Sequence, residues 1–198
     1  MVRYRRTAIA ALAASALLLT SGAAYARELR LQKVAREAPT VSSMSWADYR
    51  GDLTDLSSTD KVFDGARAMA YMMGINDEST FRLNVQGLPE SATSKDYPAH
   101  LHEGPCVAGD GAAAPGHYNT QKETGLPSPW AISDQTEVHL DFKVNSDGSA
   151  QITVTVPFIP KAGARSIVIH SDEPPPPGSS PLRLACLPLE IKQLTGRN

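Results

Sequence analysis

Three runs follow one another in the second half of the chain: Val138-His139-Leu140-Asp141-Phe142-Lys143-Val144, Asn145-Ser146-Asp147-Gly148 and Gln151-Ile152-Thr153-Val154-Thr155-Val156. The first and third alternate apolar and polar residues, the period of a strand with one buried face. Asp-Gly between two such runs is a strong hairpin signal. Outward from there, Thr80-Phe81-Arg82-Leu83-Asn84-Val85 alternates in the same way, and Ala66 to Met73 is small and apolar. Gly74-Ile75-Asn76-Asp77 supplies a turn between these two. Ser166-Ile167-Val168-Ile169 and Leu182-Arg183-Leu184-Ala185-Cys186 read as short buried strands. No long helix with an apolar stripe is visible. The expected class is all-β, a Greek-key sandwich or barrel. Two long loops interrupt it, Glu103 to Gln135 and Ser171 to Pro181, the second stiffened by Pro174 to Pro177.

With 198 residues and 41% hydrophobic positions, the chain is large enough for one domain with a core. Aromatics make up only 6%, so that core must lean on Val, Ile, Leu and Ala. A net charge of -2 provides no basic surface for phosphates and argues against a nucleic-acid partner. Arg3, Arg5 and Arg6, the apolar run Thr7 to Thr20 and the small residues Ala24 and Ala26 predict a secretory signal peptide over 1–26. That run is too short and Ala-rich for a lasting membrane anchor. The expected organisation is therefore a signal over 1–26, a leader over 27–60 and a β-barrel domain over 61–198. Leu29 to Val34 has the alternation of one more short strand. Export, to a periplasm or out of the cell, places Cys106 and Cys186 in an oxidising compartment, where two cysteines usually pair.

All five histidines lie in the second half. His100-Leu101-His102 puts two imidazoles on one face of a strand, because residues i and i+2 share a face. His117 follows within the long loop, and His170 closes the run Ser166 to Ile169. Four imidazoles from separate sheet positions suit copper better than calcium or magnesium. His139 alternates with Val138 and Leu140 and is expected on the solvent side of its strand.

His-Leu-His-Glu-Gly-Pro-Cys at 100–106, Gly-His-Tyr-Asn at 116–119, Ser-Ile-Val-Ile-His at 166–170 and Arg-Leu-Ala-Cys at 183–186 occur in this order. Together they resemble the copper/zinc superoxide dismutase family, over roughly residues 65 to 190. The resemblance implies a Greek-key barrel with one copper held by His100, His102, His117 and His170. It also implies a disulfide between Cys106 and Cys186, and a catalytic role for Arg183 in guiding and holding the superoxide anion. A fixed guanidinium beside a metal does attract a small anion and offers it forked donors.

Two departures narrow the expectation. After His117, the loop Tyr118 to Thr136 contains no histidine and Asp134 as its one aspartate, so the family's zinc site is not expected. The stretch from His170 to Arg183 is short and proline-rich where the family has a charged loop. Both departures resemble copper-only members. Glu103 and Asp134 are the candidate carboxylates for the second nitrogen of His117. The expected activity is copper-dependent dismutation of superoxide to dioxygen and hydrogen peroxide. The alternatives are a non-enzymatic copper-binding or scavenging protein of the same fold, and a structural β-sandwich that has lost its metal.

Overall fold

The computed structural model describes residues 43–195. The expected signal peptide and the possible strand Leu29 to Val34 lie outside the described residues. Ten strands account for the architecture. They are β1 (Ser43–Asp52), β2 (Thr54–Asp55), β3 (Arg67–Ile75), β4 (Glu78–Gln86), β5 (Asp96–Tyr97), β6 (Ala99–Glu103), β7 (Phe142–Lys143), β8 (Ala150–Val156), β9 (Gly163–His170) and β10 (Arg183–Thr195). Apart from short turns of 3-10 helix, the helical element among the described residues is the single turn Thr120–Glu123. The protein is all-β, as the alternation predicts.

The main sheet is antiparallel and runs β6-β9-β10-β1-β3-β4-β8, with β2 attached to β10. It curls into a half-barrel whose inner face collects the alternate apolar residues. Ala68, Ala70 and Met72 of β3, Phe81, Leu83 and Val85 of β4, and Ile167 and Ile169 of β9 are all buried. The strands β3 and β4 join through Asn76 and Asp77, both at positive φ (52° and 72°). A two-residue turn of that hand matches the right-handed twist of the strands it joins.

Three expectations change. Residues 43–60 are not a leader: β1 lies inside the sheet between β10 and β3, with Trp46 opposite both Lys192 and Met73. Trp46-Ala47-Asp48-Tyr49 lacks a run of large apolar residues because its fully buried position is only Ala47, while Asp48 faces outward. The second change concerns the hairpin. Its turn forms, with Gly148 at φ 73° and the Asn145 N–H bonded to the Ser149 carbonyl at 2.7 Å. Beyond the turn the arms separate, β7 pairing with β5 and β8 with β4. The Val138 to Val144 alternation still holds, since Val138, Leu140, Phe142 and Val144 are all buried. The third is β10, which runs on past Leu187-Pro188 to Thr195. Its outer edge is paired to β2 at Ala185 and Cys186 and to β1 from Lys192. Pro188 falls in the gap between those partners, where a residue without an N–H is tolerated.

Candidate metal centre

The centre grows out of strand alternation on β6. Ala99 and Leu101 point into the barrel and are completely buried, which turns His100 and His102 to the outer face. On one side β6 pairs with β9, His100 opposite Val168 and His102 opposite Ser166. His170 ends β9 two residues beyond Val168, on the same face. The other edge of β6 is completed by two loop segments. Tyr118 N–H donates to the Leu101 carbonyl at 2.8 Å, and Glu103 N–H donates to the Gly116 carbonyl at 2.9 Å. His117 thereby arrives beside His102. Leu140 N–H donates to Ala99, and Leu101 N–H donates to Val138, which sets His139 beside His100.

The four expected histidines are brought together. One ring nitrogen from each of His100, His102, His117 and His170 lies within 4.8 Å of the others. His102 and His170 are 1% and 5% exposed, while His100 and His117 are half-buried. Their rings stack or tilt against one another, with His100 and His117 centroids 4.1 Å apart.

Hydrogen bonding decides which nitrogens remain free. His102 Nδ1 faces the Ala114 carbonyl at 3.2 Å and must donate to it, leaving Nε2 as a lone pair. His117 Nδ1 faces Glu137 Oε2 at 2.8 Å, leaving its Nε2 free as well. His102 Nε2 and His170 Nε2 face each other at 3.1 Å. His100 Nδ1 is buried without any partner. His102 Nε2, held as a lone pair by its Nδ1 bond, and the free Nε2 of His117 converge with His170 Nε2, nitrogens that a cation at the centre can take as ligands. This donor set fits one metal ion.

Protonation is suppressed for the same reasons. Burial, reinforced by repulsion from His117 and His170, brings His100 down to about 2. Burial and His117 bring His102 down to about 3. Burial, His117 and the Arg183 guanidinium bring His170 down to about 4. These three imidazoles are therefore neutral near pH 7, the state a metal ligand requires.

Glu137 is the functional residue that sequence reasoning missed. Its side chain is buried, its Oε2 accepts from His117, and its Oε1 accepts from Asn119 Nδ2 at 2.9 Å. Burial alone would push its carboxyl up, but the donors Asn119 and His117 outweigh burial and hold it below the usual carboxylate range. The signal available was its position, two residues before His139 at the start of an alternating run. The two expected carboxylates serve elsewhere: Glu103 pairs with Lys122 at 2.5 Å, and Asp134 lies 3.5 Å from His139. His139 keeps the outer side of its run, opposite the buried Val138 and Leu140, but is partly covered. Its strand mate His100 and the neighbouring Glu137 enclose it, leaving its side chain 26% exposed, with Nε2 at 3.4 Å from Glu137 Oε2. It stays outside the quartet.

Arg183 lies opposite His170 across the β9–β10 ladder. Its guanidinium donates to the carbonyls of Gly111, Ala114 (2.5 Å) and Pro115 (2.7 Å). Three of its five N–H groups are thus spent on orientation, and two are left for another acceptor. Those carbonyls belong to the loop that a disulfide ties down: Cys106 and Cys186 are bonded, with Cα atoms 5.7 Å apart. The bridge packs with Ala114, Val168 and Leu56 beneath the loop.

No family model matches the chain, and no curated protein matches it. Among solved structures it is similar to one described as a crystal structure analysis of the clock protein EA4, at 16% identity and a TM-score of 0.47. That match covers 76% of this chain and 96% of the other.

Proposed function

We propose that the chain binds one copper ion through His100, His102, His117 and His170 and dismutes superoxide in an exported compartment. The observation that carries this reading is the convergence of four imidazoles, one ring nitrogen of each lying within 4.8 Å of the others. Nitrogen donors without thiolate or a carboxylate in the quartet favour copper over the oxygen-seeking cations. Bound there, copper would supply one-electron chemistry: two superoxide anions and two protons give one dioxygen and one hydrogen peroxide.

The chain's own residues do the rest. Glu137 fixes the tautomer and ring orientation of His117, as the carboxylate partner of a metal-bound imidazole does. Asn119 holds Glu137 in turn. Arg183, locked by three loop carbonyls, presents its remaining donors and its charge from a fixed position. A small anion is drawn toward such a guanidinium. The zinc site stays outside the proposal, because His117 Nδ1 is already engaged by Glu137.

The deciding experiment measures metal content and superoxide turnover on the same purified sample. Stoichiometric copper with turnover faster than free copper, abolished in His170→Ala, is the expected result. Copper without turnover, and no change in Arg183→Ala, would leave a copper-binding protein. Absence of stoichiometric copper after reconstitution would leave a structural β-sandwich.

A further inference from the structure

A second feature lies on strands that contribute no metal ligand. Among the described residues, no layer of chain packs over the outer face of β1, β3, β4 and β8, and the ladders set its side chains in rows. Arg50, Met69, Asn84 and Gln151 form one row across the four strands. Asp52, Arg67 and Gln86 form the next, and Asp48, Tyr71 and Arg82 the row on the other side. Between the first two rows is a hollow of about 470 Å³, lined by Arg50, Arg67, Ala68, Met69, Asn84 and Gln86.

Its donors are under-used. Asn84 Nδ2 has no exposed surface and no hydrogen-bond partner. The Arg50 guanidinium donates to the Met69 sulfur at 3.1 Å, a weak acceptor, and among the described residues it meets no carboxylate. Arg67 is paired with Asp52 at 3.2 Å, both side chains largely exposed, so that pair is easily rearranged. Gln86 and Met69 complete the outward lining, and Tyr71, 40% exposed, stands in the adjoining row.

We propose that this hollow binds a carboxylate-bearing oligosaccharide. The guanidinium groups of Arg50 and Arg67 match a carboxylate, which Arg recognises through paired donors. The amides of Asn84 and Gln86 each offer a donor and an acceptor, as vicinal hydroxyls require. Met69 and the Tyr71 ring, both partly exposed, give the C–H face of a sugar a surface to cover. The volume falls in the range of small-ligand sites. Because the hollow is built on strands, the backbone positions of these residues are fixed without the ligand.

The test is calorimetric titration of the full chain with tetragalacturonate at low ionic strength. Saturable binding is expected, weakened about tenfold or more in Arg50→Ala, as loss of a charge-assisted hydrogen bond implies. A comparable loss is expected in Asn84→Ala, and partial recovery in Arg50→Lys. Neutral cellotetraose should bind more weakly. Absence of saturable binding, or unchanged affinity in an Arg50→Ala protein with the parental melting temperature, would overturn the proposal. So would displacement of the sugar by citrate at equal affinity, which would indicate a simple anion site. Copper content and superoxide turnover should be unaltered in Arg50→Ala, so this test and that of the metal centre fail independently.

Discussion

Glu137 and His117 are the pair through which a single residue governs the centre. Removing the carboxylate in Glu137→Ala frees His117 to change tautomer or rotate. Loss of such a partner costs about ten- to a hundredfold in metal affinity or activity. A chelator competition assay for copper, run beside superoxide turnover, should show that loss, and His139→Ala a smaller one. The histidines also set a pH dependence. His100, His102 and His170 all have folded values below the ordinary 6.5, so the unfolded chain binds more protons as the solution is acidified. Metal-free protein should therefore keep its full stability above about pH 6.5 and lose it progressively as pH falls through about 4 and below. Urea midpoints measured across that window should shift downward, and less steeply in His100→Gln. The quartet was legible because imidazoles at alternate strand positions announce themselves in one dimension. Glu137 was not, because its importance comes from a loop folding back to meet it, and a lone carboxylate ahead of an alternating run looks like a solvated strand end.

At the scale of elements, the loop after β6 is held from both ends. Gly104 has φ 79°, and a Cβ there would overlap the Ala113 carbonyl. Gly104→Ala is expected to cost at least about 1 kcal/mol for the backbone conformation alone, visible as a lower melting temperature. The disulfide closes a separation of 80 residues, for which chain entropy gives roughly 4 kcal/mol. Cys106→Ser should lose about that much stability. It should also release copper faster to a chelator, because the carbonyls that hold Arg183 and the one that holds His102 sit in the tethered loop. Element positions were read well where alternation was complete, as in β4 and β8. Pairing was harder to read. The Asp147-Gly148 turn promised a two-stranded hairpin, yet β4 and β5 offered edges from distant parts of the chain, and such partners are not written in the local alternation.

For the molecule as a whole, β1 is the element whose place was least visible. Its inward residues Ser45, Ala47, Tyr49 and Gly51 are mostly small, so it lacks the Val/Ile signature of its neighbours. Its role is nonetheless central, since it joins the β6-β9-β10 side of the sheet to the β3-β4-β8 side. A chain beginning at residue 61 should fail to give a dispersed amide NMR spectrum, whereas one beginning at residue 27 should fold. Truncation to 61 would bare facing edges on β3 and β10 and invite aggregation.

The ladder that seats β1 also pairs Ser43 with Thr195. Strand β1 must wait for the far end of β10 before the half-barrel can shut. The same adjacency means that a short peptide joining these two positions, with new ends opened in the exposed proline run, should yield a permuted chain that folds sooner after synthesis begins.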